Sequence, residues 1–384
     1  MTDTELHAEP IETDGVLRPT HVEVRLDRLS ENYAAIAAHV GSAKVMPILK
    51  ANAYGHGLIP VAKRMERDGA AYLGLAYLEE GLKLRRAGIR TPILVLGGII
   101  GSQVPLFIQN DLTLTASSVD KLRAIQDAAA ALGQTAKVHL KIDTGMERIG
   151  VHWYSAESLL EASLDCPNVV VEGIFSHLAN ADGTDLSHAR LQLERFHEVL
   201  EFYPRRGLPT PMRHIANSGA VLQLPEANLD LVRPGLLLYG VLPDRALKNT
   251  LGVRPALTWV SRVVYFKVVK AGNPIGYGST YTPTEMTRVI TVPVGYGDGY
   301  FRCMSNRAEV GVRGQRFPVV GRICMDQVMV EIGQQSAWNG DRVVLLGESD
   351  EGGISVQEMA DWAGTIPYEV LTNINTRVPR IYVG

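Results

Sequence analysis

The chain has 384 residues, 46% of them hydrophobic and 21% charged, a composition that excludes a disordered or fibrous protein. Its net charge of −3, from 38 basic and 41 acidic residues, leaves no global field to draw it to nucleic acid or to an anionic membrane. Three scattered cysteines, Cys166, Cys303 and Cys324, suit neither a disulfide framework nor a thiolate metal site, so a reducing cytoplasm is the expected compartment.

Residues 1–17 are acidic near the start and lack an apolar core. They read as a flexible extension, not a secretory signal, and no later run approaches the ~20 apolar residues of a membrane span. From residue 44 to about residue 238, short apolar runs alternate with amphipathic stretches. Strand candidates lie at 45–49, 71–75, 93–96, 112–114, 137–142, 169–175, 212–215 and 229–232, with helix-like stretches at 58–67 and 78–87. This alternation predicts a parallel sheet with crossover helices. The eight candidates are the number a closed (β/α)₈ barrel requires, and Lys50, Lys141, His177, Asn217 and Arg233 each stand at or just beyond the end of a different one. A barrel gathers side chains from many strand ends around one mouth, whereas a doubly wound sheet concentrates them at a switch point. A TIM-like barrel is therefore assigned to residues 18–254.

After about residue 257 the texture becomes β-rich, with candidates at 257–269, 289–294, 310–312, 317–320, 328–332 and 341–346, and one late helix near 356–363. Residues 255–384 are assigned to a second, mainly antiparallel β domain.

Lys50 ends the apolar run Val45-Met-Pro-Ile-Leu-Lys50 and opens Lys50-Ala-Asn-Ala-Tyr-Gly-His-Gly57. An amine where a buried strand meets a glycine-containing loop suits a Schiff-base nucleophile. The structural alternative is a strand-end lysine whose stem packs while its charge reaches water. Lys50-Ala-Asn-Ala-Tyr-Gly-His-Gly57 resembles the cofactor-lysine motif of alanine racemases. The resemblance continues through Arg18-Pro-Thr20, Lys141-Ile-Asp-Thr-Gly-Met-Glu-Arg-Ile-Gly150, Ser176-His177, Ala216-Asn-Ser218, Arg233-Pro-Gly235 and Tyr277-Gly-Ser-Thr-Tyr281. Gly295-Tyr-Gly-Asp-Gly299, Gly321-Arg-Ile-Cys-Met-Asp-Gln327 and Ile366-Pro-Tyr-Glu369 follow in family order.

The resemblance implies pyridoxal 5'-phosphate as cofactor, tethered by Lys50, with the protein fixing its ring and phosphate and supplying the proton carriers. Asn217-Ser218-Gly219 opens a helix-like stretch whose free amides and Ser218 hydroxyl suit an anion, although a turn with a helix cap explains the same residues. By resemblance the amides around Gly235 and Leu236 and the hydroxyls of Tyr54 and Tyr368 complete the phosphate cradle. Arg233 is matched to the pyridine nitrogen, where a group that only donates hydrogen bonds would keep that nitrogen unprotonated.

Racemisation needs a proton carrier on each face of the α-carbon, and the resemblance names Lys50 and Tyr277. A free phenol has a pKa near ~10, so Tyr277 needs help, implied to come from His177, itself in contact with Arg233. Taken singly, Arg233, His177 and Tyr277 also read as structural residues. The family's arrangement is a head-to-tail homodimer with shared active sites, in which Tyr277, Tyr296, Cys324, Met325 and Asp326 come from the partner. Arg148 is matched to the substrate carboxylate or the cofactor phenol oxygen, and Lys141 to a lysine carbamylated by carbon dioxide. An ion pair between unmodified Lys141 and Asp143 is the alternative.

Two departures stand out: Glu147, where glycine is common before the arginine, and Gly297, where alanine is common. Glu147 puts substrate preference in doubt, because its carboxylate could compete for Arg148. Tyr296 and Met325 leave room for little beyond a methyl group, so the expected reaction is interconversion of L- and D-alanine, the D-isomer feeding peptidoglycan synthesis. A racemase acting on serine or a wider set of amino acids uses the same residues. A decarboxylase of similar architecture usually places an acid where Arg233 stands, and a non-catalytic cofactor carrier would lack the β domain. The ten histidines show no pair at metal-ligand spacing with a matching carboxylate, so no metal is expected.

Overall fold

Short runs of Val, Ile and Leu between amphipathic stretches can bury both faces only in a parallel sheet covered by helices. The computed structural model, which describes residues 17–350 and 352–384, has this arrangement over Asp27–Arg254. All but Leu17 of the extension expected at residues 1–17 lies outside the described residues. The parallel strands are Lys44–Val45, Leu73–Leu75, Ile93–Val95, Leu114–Ala116, Ala136–Asp143, Val169–Phe175, Met212–His214 and Leu231–Val232. Regular ladders join Leu73–Leu75 to Ile93–Val95, and Leu114–Ala116 through Ala136–Asp143 and Val169–Phe175 to Met212–His214. Pairs of bonds span the remaining gaps: Leu49 N–H to Gly74 O at 2.8 Å with Gly74 N–H to Pro47 O at 2.9 Å, Thr113 N–H to Ile93 O at 2.9 Å with Val95 N–H to Thr113 O at 3.1 Å, and Arg233 N–H to Ala216 O at 3.0 Å with Asp230 N–H to Arg213 O at 3.1 Å.

The last strand, Leu231–Val232, pairs with the first, Lys44–Val45, and closes the ring. Closure leaves no exposed sheet edge. The covering helices show why their sequences fold locally. In Val119–Leu132, for example, Ser118 accepts the Lys121 N–H at 3.2 Å, Gly133 ends the helix at φ 61°, and Leu122, Ile125 and Ala129 face inward. Among the described residues no helix is long and apolar enough to cross a membrane.

The second unit holds a nine-stranded sheet in the order Tyr265–Val269, Thr287–Val292, Val328–Gly333, Gln315–Val320, Glu309–Val312, Arg342–Leu346, Leu257–Arg262, His21–Arg25, Arg380–Val383. Every pair is antiparallel except His21–Arg25 with Arg380–Val383. Residues 18–26, assigned from sequence to the barrel, therefore belong here: the His21–Arg25 strand is sandwiched between two strands from the far end of the chain. The single strand expected over 257–269 is two, Leu257–Arg262 and Tyr265–Val269, which pair with different neighbours. The expected late helix is Val356–Ala363, and a further helix, Pro367–Asn373, follows it.

Asp298, fully buried, ties this unit together. Its carboxylate accepts Arg18 Nη1 and Nη2 at 2.6 and 2.7 Å, Arg377 Nε at 2.7 Å and the Gly295 N–H at 3.0 Å. Burial opposes its charge, but these donors outweigh burial and hold the carboxyl below the ordinary aspartate value. Asp298→Ala removes the carboxylate that Arg18 and Arg377 share and leaves the Gly295 N–H without its acceptor, while Arg18 keeps Pro293 O and Arg377 keeps Asp326. We expect it to lower stability by about 1–3 kcal/mol, read from urea unfolding; a loss under about 0.5 kcal/mol would contradict this account. Since the folded pKa is the depressed one, the contribution is complete above the unfolded value of ~3.9 and disappears as pH falls through the folded value. Wild-type and variant stabilities should converge only in stronger acid.

Candidate active site

Lys50 leaves the barrel wall at a turn that the sequence did not announce. Ala51, Asn52, Ala53 and Tyr54 all take left-handed backbone, with φ of 54°, 56°, 53° and 50°. Such a conformation costs a non-glycine residue roughly 1–2 kcal/mol, so the turn persists only because its surroundings impose it. Glu80 Oε1 accepts the Ala51 N–H at 2.7 Å, Asn52 Oδ1 accepts the Leu58 N–H at 2.9 Å, and Gly55 N–H returns to Ala51 O at 3.1 Å. The turn brings the Tyr54 hydroxyl against Gly235, where a Cβ would lie 2.6 Å from the oxygen. Glycine at 235 is thus what lets Tyr54 reach this place.

Arg233 is the hub of the barrel mouth. Buried, it donates from Nη2 to Ser176 O at 2.7 Å, Ile215 O at 3.1 Å and His177 Nδ1 at 3.1 Å, and from Nη1 to His214 Nδ1 at 2.8 Å. Guanidinium has no acceptor, so both imidazoles must accept at Nδ1 and carry their proton on Nε2. Burial draws the Arg233 pKa down to about 9. His177 is held neutral, well below the usual histidine range, by burial and then by Arg233, Lys141, Arg148 and Lys50.

Lys141 is also buried, with Nζ donating to Ile142 O at 3.0 Å and lying 5.0 Å from the Phe175 ring centre. Burial first, then Arg233 and Arg148, bring its pKa down to about 7 against the opposing pull of Asp143. The alternative ion pair with Asp143 does not form, because that carboxylate is committed to its own loop. It accepts the N–H groups of Gly145 at 2.8 Å, Met146 at 2.9 Å and Arg148 at 3.1 Å. Lys50 is likewise shifted down by burial, Arg148 and Arg233, with Glu80 opposing. Glu147 adopts φ 54°, which explains why glycine suits this position, and its Oε2 lies 2.9 Å from His152 Nε2. Its carboxylate is therefore directed to His152 and not to Arg148.

Ser218 Oγ accepts the N–H groups of Gly235 at 2.9 Å and Leu237 at 3.3 Å, on either side of the buried Leu236. Asn217 caps the Ser218–Gln223 helix by accepting the Ala220 N–H at 3.1 Å and donates to Leu178 O at 3.3 Å. Lys50, Tyr54, Lys141, Arg148, His177, Asn217, Ser218, Arg233, Gly235 and Leu236 thus all belong to the barrel unit.

Tyr277, Tyr296, Met325, Asp326 and Tyr368 belong to the β unit. The turn carrying Tyr296 is stitched to the Cys324–Met325 segment by Tyr296 N–H to Cys324 O and Gly297 N–H to Met325 O, both 3.0 Å. Gly278, next to Tyr277, lies against Arg322, and Asp326 Oδ1 accepts Arg377 Nη2 at 2.8 Å. Tyr277, Tyr296 and Met325 are exposed at 71%, 42% and 53%, a concentration of apolar surface uncommon for residues with no covering neighbour. Tyr368 lies on the Pro367–Asn373 helix. The Gly297 departure has a local cause: a Cβ there would sit 2.7 Å from Arg377 Nη2. Sequence reasoning missed Glu80, Asp143 as loop anchor, and the buried pair His139 and His214. Of these only His139, between Val138 and Leu140, carried a readable signal, a polar residue flanked by apolar ones within a strand.

Comparison with known proteins agrees with this geometry. Residues 24–243 match the family model of the alanine racemase N-terminal domain and residues 256–382 that of the C-terminal domain. The alanine racemase of Carboxydothermus hydrogenoformans is 45% identical over 369 residues, covering 96% of this chain and all of that protein. The crystal structure of alanine racemase from the D-cycloserine producer Streptomyces lavendulae superposes with a TM-score of 0.91 at 38% identity, covering 96% and 98% of the two chains. That of Bartonella henselae, which carries covalently bound pyridoxal phosphate, gives 0.87 at 27% identity, covering 95% and 99%. With its barrel and its β unit each matched by a family model, this chain belongs to the alanine racemase family of amino-acid racemases.

Proposed function

We propose that the protein interconverts L- and D-alanine, with pyridoxal 5'-phosphate held in the barrel mouth and a proton carrier on each face of the substrate. What supports this reading most directly is the joining of Lys50, a lysine of lowered pKa at a strand end, to a buried Arg233–His177 pair. The residues present fit such a cofactor. Gly235 has its Cβ space taken by the Tyr54 hydroxyl, Ser218 and Asn217 gather polar groups beside it, and the positive field of Arg148 and Arg233, which also lowers the pKa of the Lys50 and Lys141 amines, suits an anionic ligand. Lys50 would tether the cofactor, Tyr54, Ser218, Asn217, Gly235, Leu236 and Tyr368 would hold its phosphate, and Arg233 would face its ring nitrogen. Once bound, the cofactor supplies electron withdrawal that acidifies the substrate α-proton.

Lys50 takes or returns that proton on one face, its lowered pKa leaving more of the amine free to act as a base. On the other face the partner subunit's Tyr277 does the same. His177, neutral and carrying its proton on Nε2, donates to the phenol oxygen and favours the phenolate, while Arg233 fixes the imidazole from behind. Arg148 holds the substrate carboxylate, and Tyr296 and Met325 confine the side chain to a methyl group. A homodimer with shared sites follows from placing Tyr277, Tyr296, Met325 and Asp326 opposite the barrel mouth, and their exposure within one chain supports it. D-alanine made in the cytoplasm would feed peptidoglycan synthesis.

Carbamylation of Lys141 fits the same charge pattern. With its pKa near about 7 the amine is largely neutral in mildly alkaline solution. Its nitrogen attacks the carbon of carbon dioxide, an N–H proton leaves to water, and the resulting anion can receive Arg148.

Deuterium exchange at the α-carbon of L- and D-alanine tests the two-base reading. Lys50→Ala should abolish both directions. Tyr277→Phe should depress one direction's exchange preferentially, and equal, undiminished rates both ways would remove Tyr277 from its role. For Lys141, protein equilibrated with ¹³C-bicarbonate should show a carbamate carbon resonance that is lost in Lys141→Ala and fades as pH falls below about 7 and protonates the amine. Its absence at alkaline pH would leave Lys141 as an unmodified buried amine.

A further inference from the structure

The interior of a (β/α)₈ barrel is normally filled by layers of branched apolar side chains. Here two histidines, His139 on the Ala136–Asp143 strand and His214 on the Met212–His214 strand, are completely buried within it. His214 Nε2 lies 2.8 Å from His139 Nδ1, and His214 Nδ1 lies 2.8 Å from Arg233 Nη1. The direction of every proton in this chain follows from one end. Arg233 only donates, so His214 accepts at Nδ1 and holds its proton on Nε2. That N–H is given to His139 Nδ1, and His139 must carry its own proton on Nε2. The Nε2 atom of His139 is buried and has no hydrogen-bond partner among the described residues, the cost left at the far end of this relay.

We infer that His139 is a positioning residue for Arg233, acting through His214: by accepting the His214 Nε2 proton it selects the one tautomer of His214 that can receive the guanidinium. Without an acceptor at that point, His214 is free to move its proton to Nδ1, where it would face another donor and release Nη1. The inference rests on the reading that Arg233 faces the cofactor ring nitrogen. A misplaced guanidinium there would disturb the reaction without touching the substrate.

The local architecture is built for His139. The pairing between Ala136–Asp143 and Val169–Phe175 slips register between Val138 and His139, a bulge of the kind that re-aims a side chain. The residue opposite is Gly173, where a Cβ would lie 2.5 Å from His139 Nδ1. Phe175 stacks on His214 with ring centres 4.8 Å apart, and Tyr72 meets His139 edge-on at 5.6 Å. Burial, followed by Arg233, draws the His139 pKa down to about 3, so the ring remains a neutral acceptor throughout the working range. An apolar residue at 139 would have filled this space without an orphaned N–H.

The test uses the holoenzyme labelled with ¹⁵N in its histidines. Imidazole spectra should show His139 and His214 as neutral Nε2–H tautomers that do not titrate between about pH 6 and 9, assigned through their loss in His139→Gln and His214→Gln. A proton on Nδ1 of either ring overturns the proposal, and needs no variant active enough to assay. In turnover, His139→Phe removes the acceptor while keeping a ring. We expect kcat to fall on the order of 10-fold or more with KM changed less than about 3-fold, and the visible absorption of the bound cofactor to shift. His139→Gln, which retains an acceptor oxygen, should recover both to within about 3-fold. Wild-type kcat and spectrum in His139→Phe overturn the positioning role. An unshifted cofactor spectrum in Arg233→Lys would instead remove Arg233 from the ring nitrogen, and with it the catalytic consequence, while the tautomers stayed as assigned.

Discussion

A guanidinium sealed inside a barrel with no carboxylate among its hydrogen-bond partners is the constraint around which this protein is arranged. Burying an unpaired charge is expensive, and Arg233 meets that expense with two carbonyls and two imidazoles that must stay neutral to accept from it. Its field then reaches outward. Lys50, Lys141, His177, His139 and His214 all have their protonated forms disfavoured by burial and by this one cation. A cleft with several cations and few facing acids is prepared for anions, and the same positive field lowers the basicity of the amines within it. Ligand charge and amine reactivity are therefore two results of one buried group.

The acids do different work. Glu80 accepts the N–H groups of Ala51 and Ala76 and steadies the left-handed turn after Lys50. Asp143 gathers the amides of Gly145, Met146 and Arg148 in its own loop and shapes the segment that carries Arg148. Asp298 holds Arg18 and Arg377 and, through the Gly295 amide, the turn that presents Tyr296. Each carboxylate stabilises backbone beside Lys50, Arg148 or Tyr296. Backbone strain is stored where chemistry is proposed and is offset by these anchors a few residues away.

Much of the architecture was legible along the chain. Apolar runs ending in Lys50, Lys141, His177, Asn217 and Arg233 marked strand ends around a common mouth, and eight such runs form the ring. The β-rich texture beyond residue 257 and the helix at Val356–Ala363 were equally visible. Pairing partners were not. His21–Arg25 looks like any short amphipathic strand, and only hydrogen bonds to Leu257–Arg262 and Arg380–Val383 assign it to the β unit. Glu147 illustrates the same boundary: its identity marks a departure, but its direction toward His152 depends on a left-handed backbone that the residue type itself disfavours.

Periodicity by itself determined the two-part organisation, and the ordered motifs, through their resemblance to alanine racemases, pointed to the family, because each is written in local spacing and residue chemistry. Tertiary structure alone decided which imidazole nitrogen bears a proton, which carboxylate anchors which loop, and why Gly173, Gly235 and Gly297 lack side chains. Those properties arise from groups far apart in sequence meeting within about 3 Å, where donor and acceptor roles and excluded volume become mutually dependent.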